Sequence, residues 1–268
     1  MFFNRVFGLF VEYLSKDVYN YDRKLRRGSG RGIRRSIIPI TGRVRLLEML
    51  TSKDIGEVIR LLEECYPEPY CALGYIKDYE LLFAARLSAQ CTDERVNTVT
   101  PVLFGRYKTL GEIAGADVAD IEEIIHPCGF FRIKARDIVA AAAMLAGEYG
   151  GRVPDTMEEL LRLPGVGRKT ANLILGDIHG KPAVVVDTHC IRLSNRIGLA
   201  DNKDPLRIEM ALRAVLPPDK SSDFCHRLVL HGRAVCRAGK PACARGSGSC
   251  GCCLALICET GIVHQAAV

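Results

Sequence analysis

From residue 54 onward, apolar residues recur at helical spacing almost without a break. Ile55, Val58, Ile59 and Leu62 follow the i, i+3, i+4, i+7 rhythm of an amphipathic helix. Residues 79–90 are apolar nearly all round, which predicts a buried helix. Ile121, Ile124 and Ile125 mark another, and Ile138, Ala142, Leu145 and Tyr149 a fourth. Thr156 followed by Glu159 has the form of a capping box and opens the helix that runs into Leu163. Leu212, Val215 and Leu216 close a helix before Pro217-Pro218, and Phe224, Leu228 and His231 stripe the next. Val184-Val185-Val186 is the main strand-like run, and it is too short to found a sheet. The pattern predicts an all-α protein with short loops and no internal repeat.

The first 53 residues break this rhythm. They hold 12 Lys and Arg against 4 Asp and Glu, whereas the rest of the chain holds 25 against 27. The net charge of +6 therefore comes from the N-terminal stretch, and any nucleic-acid footprint on residues 54–268 must be local. Arg23-Lys24-Leu25-Arg26-Arg27-Gly28-Ser29-Gly30-Arg31 is basic and Gly/Ser-rich, so residues 1–53 read as a basic flexible N-terminal extension. Its functional reading is a DNA-gripping arm or a targeting segment. Its bland reading is a disordered tail or an over-extended gene start, since Met49 opens a sequence that would itself serve as an N-terminus. The first residues carry no small-residue cleavage site, and no apolar run reaches the roughly 18 residues of a membrane span. A cytoplasmic, nucleoid-associated protein without membrane contact is expected.

Two segments carry chemistry. In Leu163-Pro164-Gly165-Val166-Gly167-Arg168-Lys169-Thr170-Ala171, proline ends one helix and a Gly-Val-Gly turn leads into the next. Gly165 and Gly167 permit positive φ and put no Cβ between the backbone and a partner. The amides around Gly165, Val166 and Gly167 then lie beside a helix N-terminus, where an anion is favoured. Arg168 and Lys169 add charge, so a DNA phosphate suits the turn. A tight helix–helix turn with no ligand suits it equally well. Eighteen residues after Lys169, Val186-Asp187-Thr188-His189 puts a carboxylate at the start of another helix, as a helix cap, a catalytic acid or both. The third signal is cysteine. Six of the twelve fall between 236 and 258, and without an export signal such clustering points to a metal or cluster site, not to disulfides.

These segments together resemble the helix-hairpin-helix DNA glycosylases, and among them the endonuclease III family. LPGVGRKTAN and VDTH carry the resemblance with Leu87-Ser88-Ala89-Gln90-Cys91-Thr92-Asp93, Gly129-Phe130-Phe131-Arg132-Ile133-Lys134-Ala135 and His231-Gly232-Arg233-Ala234-Val235-Cys236. It runs from about residue 54 to 260. It implies two helical lobes: a barrel of residues 78–185 bearing the hairpin, and a second lobe of 54–77 with 186–268 bearing an iron–sulfur cluster. It also implies a base-excision-repair glycosylase and AP lyase, acting as a monomer on double-stranded DNA that carries damaged pyrimidines or abasic sites.

The resemblance gives Lys169 the role of nucleophile and Asp187 that of catalytic acid. A lysine amine, with an ordinary pKa near 10.4, must lose a proton before it can attack, through desolvation or neighbouring cations. Arg168 and a low-dielectric cleft would supply both. The target base must leave the stack, and Gln90 is implied as the residue that fills the gap; its plain reading is a polar residue ending a buried helix. Asp93 either caps a helix or lines the base pocket, and His189 is more often structural at such a place. The family holds a [4Fe–4S] cluster on cysteines spaced C-x6-C-x2-C-x5-C. Cys236 and Cys243 match the first step, and Cys252 and Cys258 the last, while the middle step is longer here. Cys250 or Cys253 would equally serve as the third ligand. Zinc ribbons show two short knuckles, and this chain lacks the first. Arg237, Lys240 and Arg245 would then meet phosphates or solvent. Two rival readings remain: a monofunctional adenine or mismatch glycosylase, whose members generally lack the lysine, and a non-catalytic iron–sulfur DNA-binding protein.

Overall fold

The computed structural model describes residues 52–239 together with Pro241 and Leu254. Among them the chain forms eleven α-helices, two 3-10 turns and no strand. In chain order these are α1 (Ser52–Cys65), α2 (Asp78–Leu87), α3 (Asp93–Arg106), α4 (Leu110–Ala114), α5 (Val118–Ile125) and α6 (Phe131–Glu148). Then come α7 (Met157–Leu160), α8 (Arg168–Asp177), α9 (Thr188–Arg196), α10 (Pro205–Val215) and α11 (Ser221–Ala234). Apart from Ser52 and Lys53, the N-terminal extension lies outside the described residues, as do Lys240, Cys243, Arg245, Cys250, Cys252, Cys253 and Cys258.

The helical periodicity locates the core. Ile55, Val58, Ile59 and Leu62 are all buried on α1, and Phe224, Leu228 and His231 are buried on α11, against which α1 packs. α2 is buried along almost its whole length, from Glu80 to Ala85 and at Leu87, and it packs against α3, α6 and α8. A helix with three neighbours has no face for solvent, hence its lack of an amphipathic pattern. The run Ala183–Val186 is buried but lies outside any helix or strand. It connects α8 to α9 through the interior.

Side-chain caps set six of the helix starts, at Thr92, Thr109, Asp117, Thr156, Asp187 and Asp204. Glu159 Oε2 accepts from the Thr156 hydroxyl at 3.0 Å and not from the Thr156 amide, so the reciprocal half of the expected box is missing. Thr156 Oγ1 still accepts from Glu159 N at 3.3 Å, so the expected cap forms. Yet α7 stops at Leu160, because Pro164 cannot continue a helix and the chain tightens into the turn ahead of it. α2 ends at Leu87, three residues short of the expected boundary. Gln90 therefore does not end a helix; it stands in the turn between α2 and α3, exposed and left-handed at φ +54°. No helix among the described residues is long and apolar enough to cross a membrane.

Candidate active site

The hairpin is α7, a seven-residue turn and α8, with the two helices packed together. Gly165 is left-handed at φ +75°. A Cβ there would lie 2.6 Å from Arg86 Nε and 2.8 Å from Asp137 Oδ2. Those two side chains form an ion pair beneath the turn, Arg86 Nε donating to Asp137 Oδ2 at 2.8 Å. Glycine is thus required by backbone angle and by space. Gly167 differs from expectation. Its φ of −100° is open to any residue, and a Cβ there would meet nothing within 4 Å. It is the N-cap of α8 and offers no side-chain cap. The first amides of α8 are therefore left for a partner, as an anion site requires.

Arg168 is not left free for that partner. Its Nε and Nη2 donate to the two carboxylate oxygens of Glu209 on α10, at 2.6 and 2.9 Å. This bond raises the Arg168 pKa and spends its charge on a buried carboxylate. Lys169, one residue on, is exposed. Asp187 is the N-cap of α9, its Oδ1 accepting from Cys190 N at 2.7 Å. The cap orients the carboxylate and leaves Oδ2 for other work.

Lys169 and Asp187 line one cleft of about 610 Å³, counting the space at its open mouth. Asp93, Arg233, Tyr70 and His226 line it too. Asp93 does not cap α3. Thr92 does, through Arg95 N at 3.3 Å, which frees Asp93 to pair with Arg233 at the cleft wall. His226 Nε2 lies 2.8 Å from Asp177 Oδ1, tying α11 to the end of α8. The sequence offered no signal for Tyr70 or His226, and Arg233 stands only within a segment that carries the resemblance, because such residues come together from distant elements.

His189 is half-buried, and burial pushes its pKa down. Its Nδ1 lies 3.1 Å from Arg192 Nη2, which also donates to Cys236 O at 2.9 Å. Arg196, one turn further, donates to Cys236 Sγ at 3.1 Å and to Arg237 O and Ala238 O at 2.9 Å each. The helix capped by Asp187 thus holds the start of the cysteine segment along its length. Cys236 is the one expected cluster ligand among the described residues, and no group of three or more metal-capable side chains gathers there.

Residues 83–218 match the HhH-GPD superfamily of base excision DNA repair proteins. The chain is 47% identical over 218 residues to endonuclease III of Synechocystis sp., covering 80% of this chain and 97% of that protein. It is 38% identical over 214 residues to endonuclease III of Bacillus subtilis, covering 80% and 95%. Among solved structures, a trapped endonuclease III–DNA covalent intermediate with an estranged adenine superposes with a TM-score of 0.71 at 38% identity, covering 76% of this chain and 94% of that one. A non-covalent endonuclease III–DNA complex gives 0.70 at 39% identity, covering 73% and 92%. With nearly the full length of such relatives matched, this chain belongs to the endonuclease III family of the HhH-GPD superfamily of base excision DNA repair proteins.

Proposed function

We propose that this protein is a bifunctional DNA glycosylase and AP lyase that removes oxidised pyrimidines from duplex DNA and cuts 3′ to the resulting abasic site. One observation carries the reading: an exposed lysine and a cap-oriented carboxylate line the same cleft, the lysine directly behind an uncapped helix N-terminus. A phosphate seated at the Gly165-Val166-Gly167 turn on the first amides of α8, with Val166 N already bonded to Leu163 O at 3.1 Å, brings the sugar to Lys169. Arg168 serves this grip through Glu209, as a brace for the helix start.

The neutral Lys169 amine attacks C1′, and the glycosidic bond breaks with its electron pair and a proton going to the departing base. Asp187 stabilises the positive charge that develops on the sugar and assists the proton transfers. Opening of the ring at O4′ gives a protonated imine between Nζ and C1′. That imine acidifies the C2′ proton; its removal expels the 3′ phosphate oxygen and cuts the strand. Water then hydrolyses the imine and returns the lysine. The base reaches the cleft only after extrusion, and exposed Gln90 fills the space it leaves.

Cys236, with Cys243, Cys252 and Cys258, would hold a [4Fe–4S] cluster. Thiolates suit iron–sulfur ligation, and the guanidinium already donating to Cys236 Sγ suits a charged sulfur. The cluster's role would be structural, tying down the C-terminal loop for DNA contact. In this reading residues 78–185 form the barrel lobe, 54–77 with 186–268 the cluster lobe, and the protein acts as a monomer.

Borohydride trapping on abasic-site duplex tests the chemistry. A covalent adduct is expected with the wild-type protein and none with Lys169→Gln. Tight binding without trapping by the wild-type protein would overturn the reading in favour of a monofunctional or non-catalytic relative.

A further inference from the structure

Gln90 and Phe130 are the two non-glycine residues with positive φ among the described residues, at +54° and +47°. Each such residue costs on the order of 1–2 kcal/mol and persists only where its surroundings hold it. Both side chains are exposed, so packing of the side chains does not hold them. Gln90 lies in the turn after α2; Phe130 follows the 3-10 turn His126–Cys128 and precedes α6.

A buried ammonium joins the two turns, beside a second link between the Cys91 and Cys128 side chains. Lys134 Nζ donates to Leu87 O at 2.8 Å, to Ala89 O at 2.8 Å and to Cys128 O at 2.9 Å. An ammonium has three protons, and each is used. The residue is 1% exposed, so it contacts no phosphate and attacks no substrate. Burial holds its pKa below the ordinary lysine value. Its position is costly for a charge, since it sits in the first turn of α6, where the dipole disfavours a cation. An apolar side chain would avoid that cost but would leave three carbonyls without their donor. What only a cation supplies is a meeting point for carbonyls left over at two helix ends: Leu87 O at the end of α2 with Ala89 O just beyond, and Cys128 O at the end of the 3-10 turn.

We propose that Lys134 is a positioning residue for DNA: it clamps the Gln90 turn to the Gly129–Phe130 turn, so that Gln90 is delivered rigidly into the space vacated by the extruded base. The proposal rests on the function proposed above, and specifically on extrusion from a duplex. Lys134 contributes to opening the duplex and nothing to the reaction at C1′. Misplacing a group by about 1 Å costs up to about 10²-fold in such steps.

Single-turnover excision of one oxidised pyrimidine should be compared in two settings, a fully paired duplex and a bubble of mismatches in which the target is already unstacked. For Lys134→Met, a loss of about 10- to 100-fold is expected on the paired duplex and less than about threefold in the bubble. The double variant with Gln90→Ala should be no slower on the paired duplex than the worse single variant. Equal losses in both settings, no loss in the paired duplex, or additive losses with Gln90→Ala would each overturn the proposal. Lys134→Gln, which keeps two donors, is the second variant should the methionine variant not fold, and an intermediate loss confined to the paired duplex is expected. Failure of the underlying function reads out separately, as absence of wild-type trapping on an abasic site inside the same bubble.

Discussion

Glu209 offers the sharpest test of how the hairpin turn is held. Its side chain is 3% exposed and receives three charged hydrogen bonds: Arg168 Nε at 2.6 Å, Arg168 Nη2 at 2.9 Å and Arg213 Nε at 2.9 Å. Glu209→Gln keeps the shape but leaves two guanidinium groups facing a neutral amide. Breaking a fully buried pair costs about 3–5 kcal/mol. Arg168 and Arg213 are 42% and 33% exposed, so water recovers part of their solvation, and about 2–3 kcal/mol is expected. For a folded unit of this size that lowers Tm by roughly 4–12 °C. The pH dependence has a definite sign. Burial pushes the Glu209 pKa up, but the bonds from Arg168, Arg213 and Asn172 pull harder, and the result lies below the ordinary 4.5. A carboxyl depressed on folding contributes its stability above its unfolded pKa and loses it as pH falls through the folded value. The gap between wild type and variant should therefore be full at neutral pH and close in acid below 4.5. Thermal unfolding followed by circular dichroism at several pH values measures it. A shift below about 1 °C at neutral pH, or a gap that widens in acid, would refute the argument.

Two further outcomes are expected. Asp187→Asn keeps a good helix cap, so stability should change by less than about 0.5 kcal/mol, while the rate of base excision falls by about 10²–10³; wild-type rates in this variant would remove Asp187 from the chemistry. Oxidative removal of the proposed cluster should weaken DNA binding far more than it lowers helical content, because Arg192 and Arg196 hold residues 236–238 to α9 but α9 itself is capped and packed independently; a parallel loss of helicity and binding would contradict this.

The α1, α6 and α11 stripes were legible because each helix has one apolar face, and a period of 3.6 survives in the sequence. α2 was legible as buried but not in its boundary, since a helix apolar all round gives no signal where it stops. α3, with Pro101 inside it, and the five-residue α4 had no readable pattern. Lys134 stood in plain view at the buried-face spacing of Ile138, Ala142 and Leu145. A charge at a core position is a signal, but what it bonds is invisible without the neighbours.

The sequence by itself determined the all-α class, the Gly-Val-Gly turn between two helices, and the amine and carboxylate eighteen residues apart, because helix periodicity, caps and turn chemistry are local properties of the chain. Only the tertiary structure decided that Lys169 and Asp187 open into one cleft, that Arg168 is bound to Glu209, and that Asp93 meets Arg233. Pairings across 41 and 140 residues depend on how helices pack, and packing is set by the complementary shapes of faces that no single segment contains.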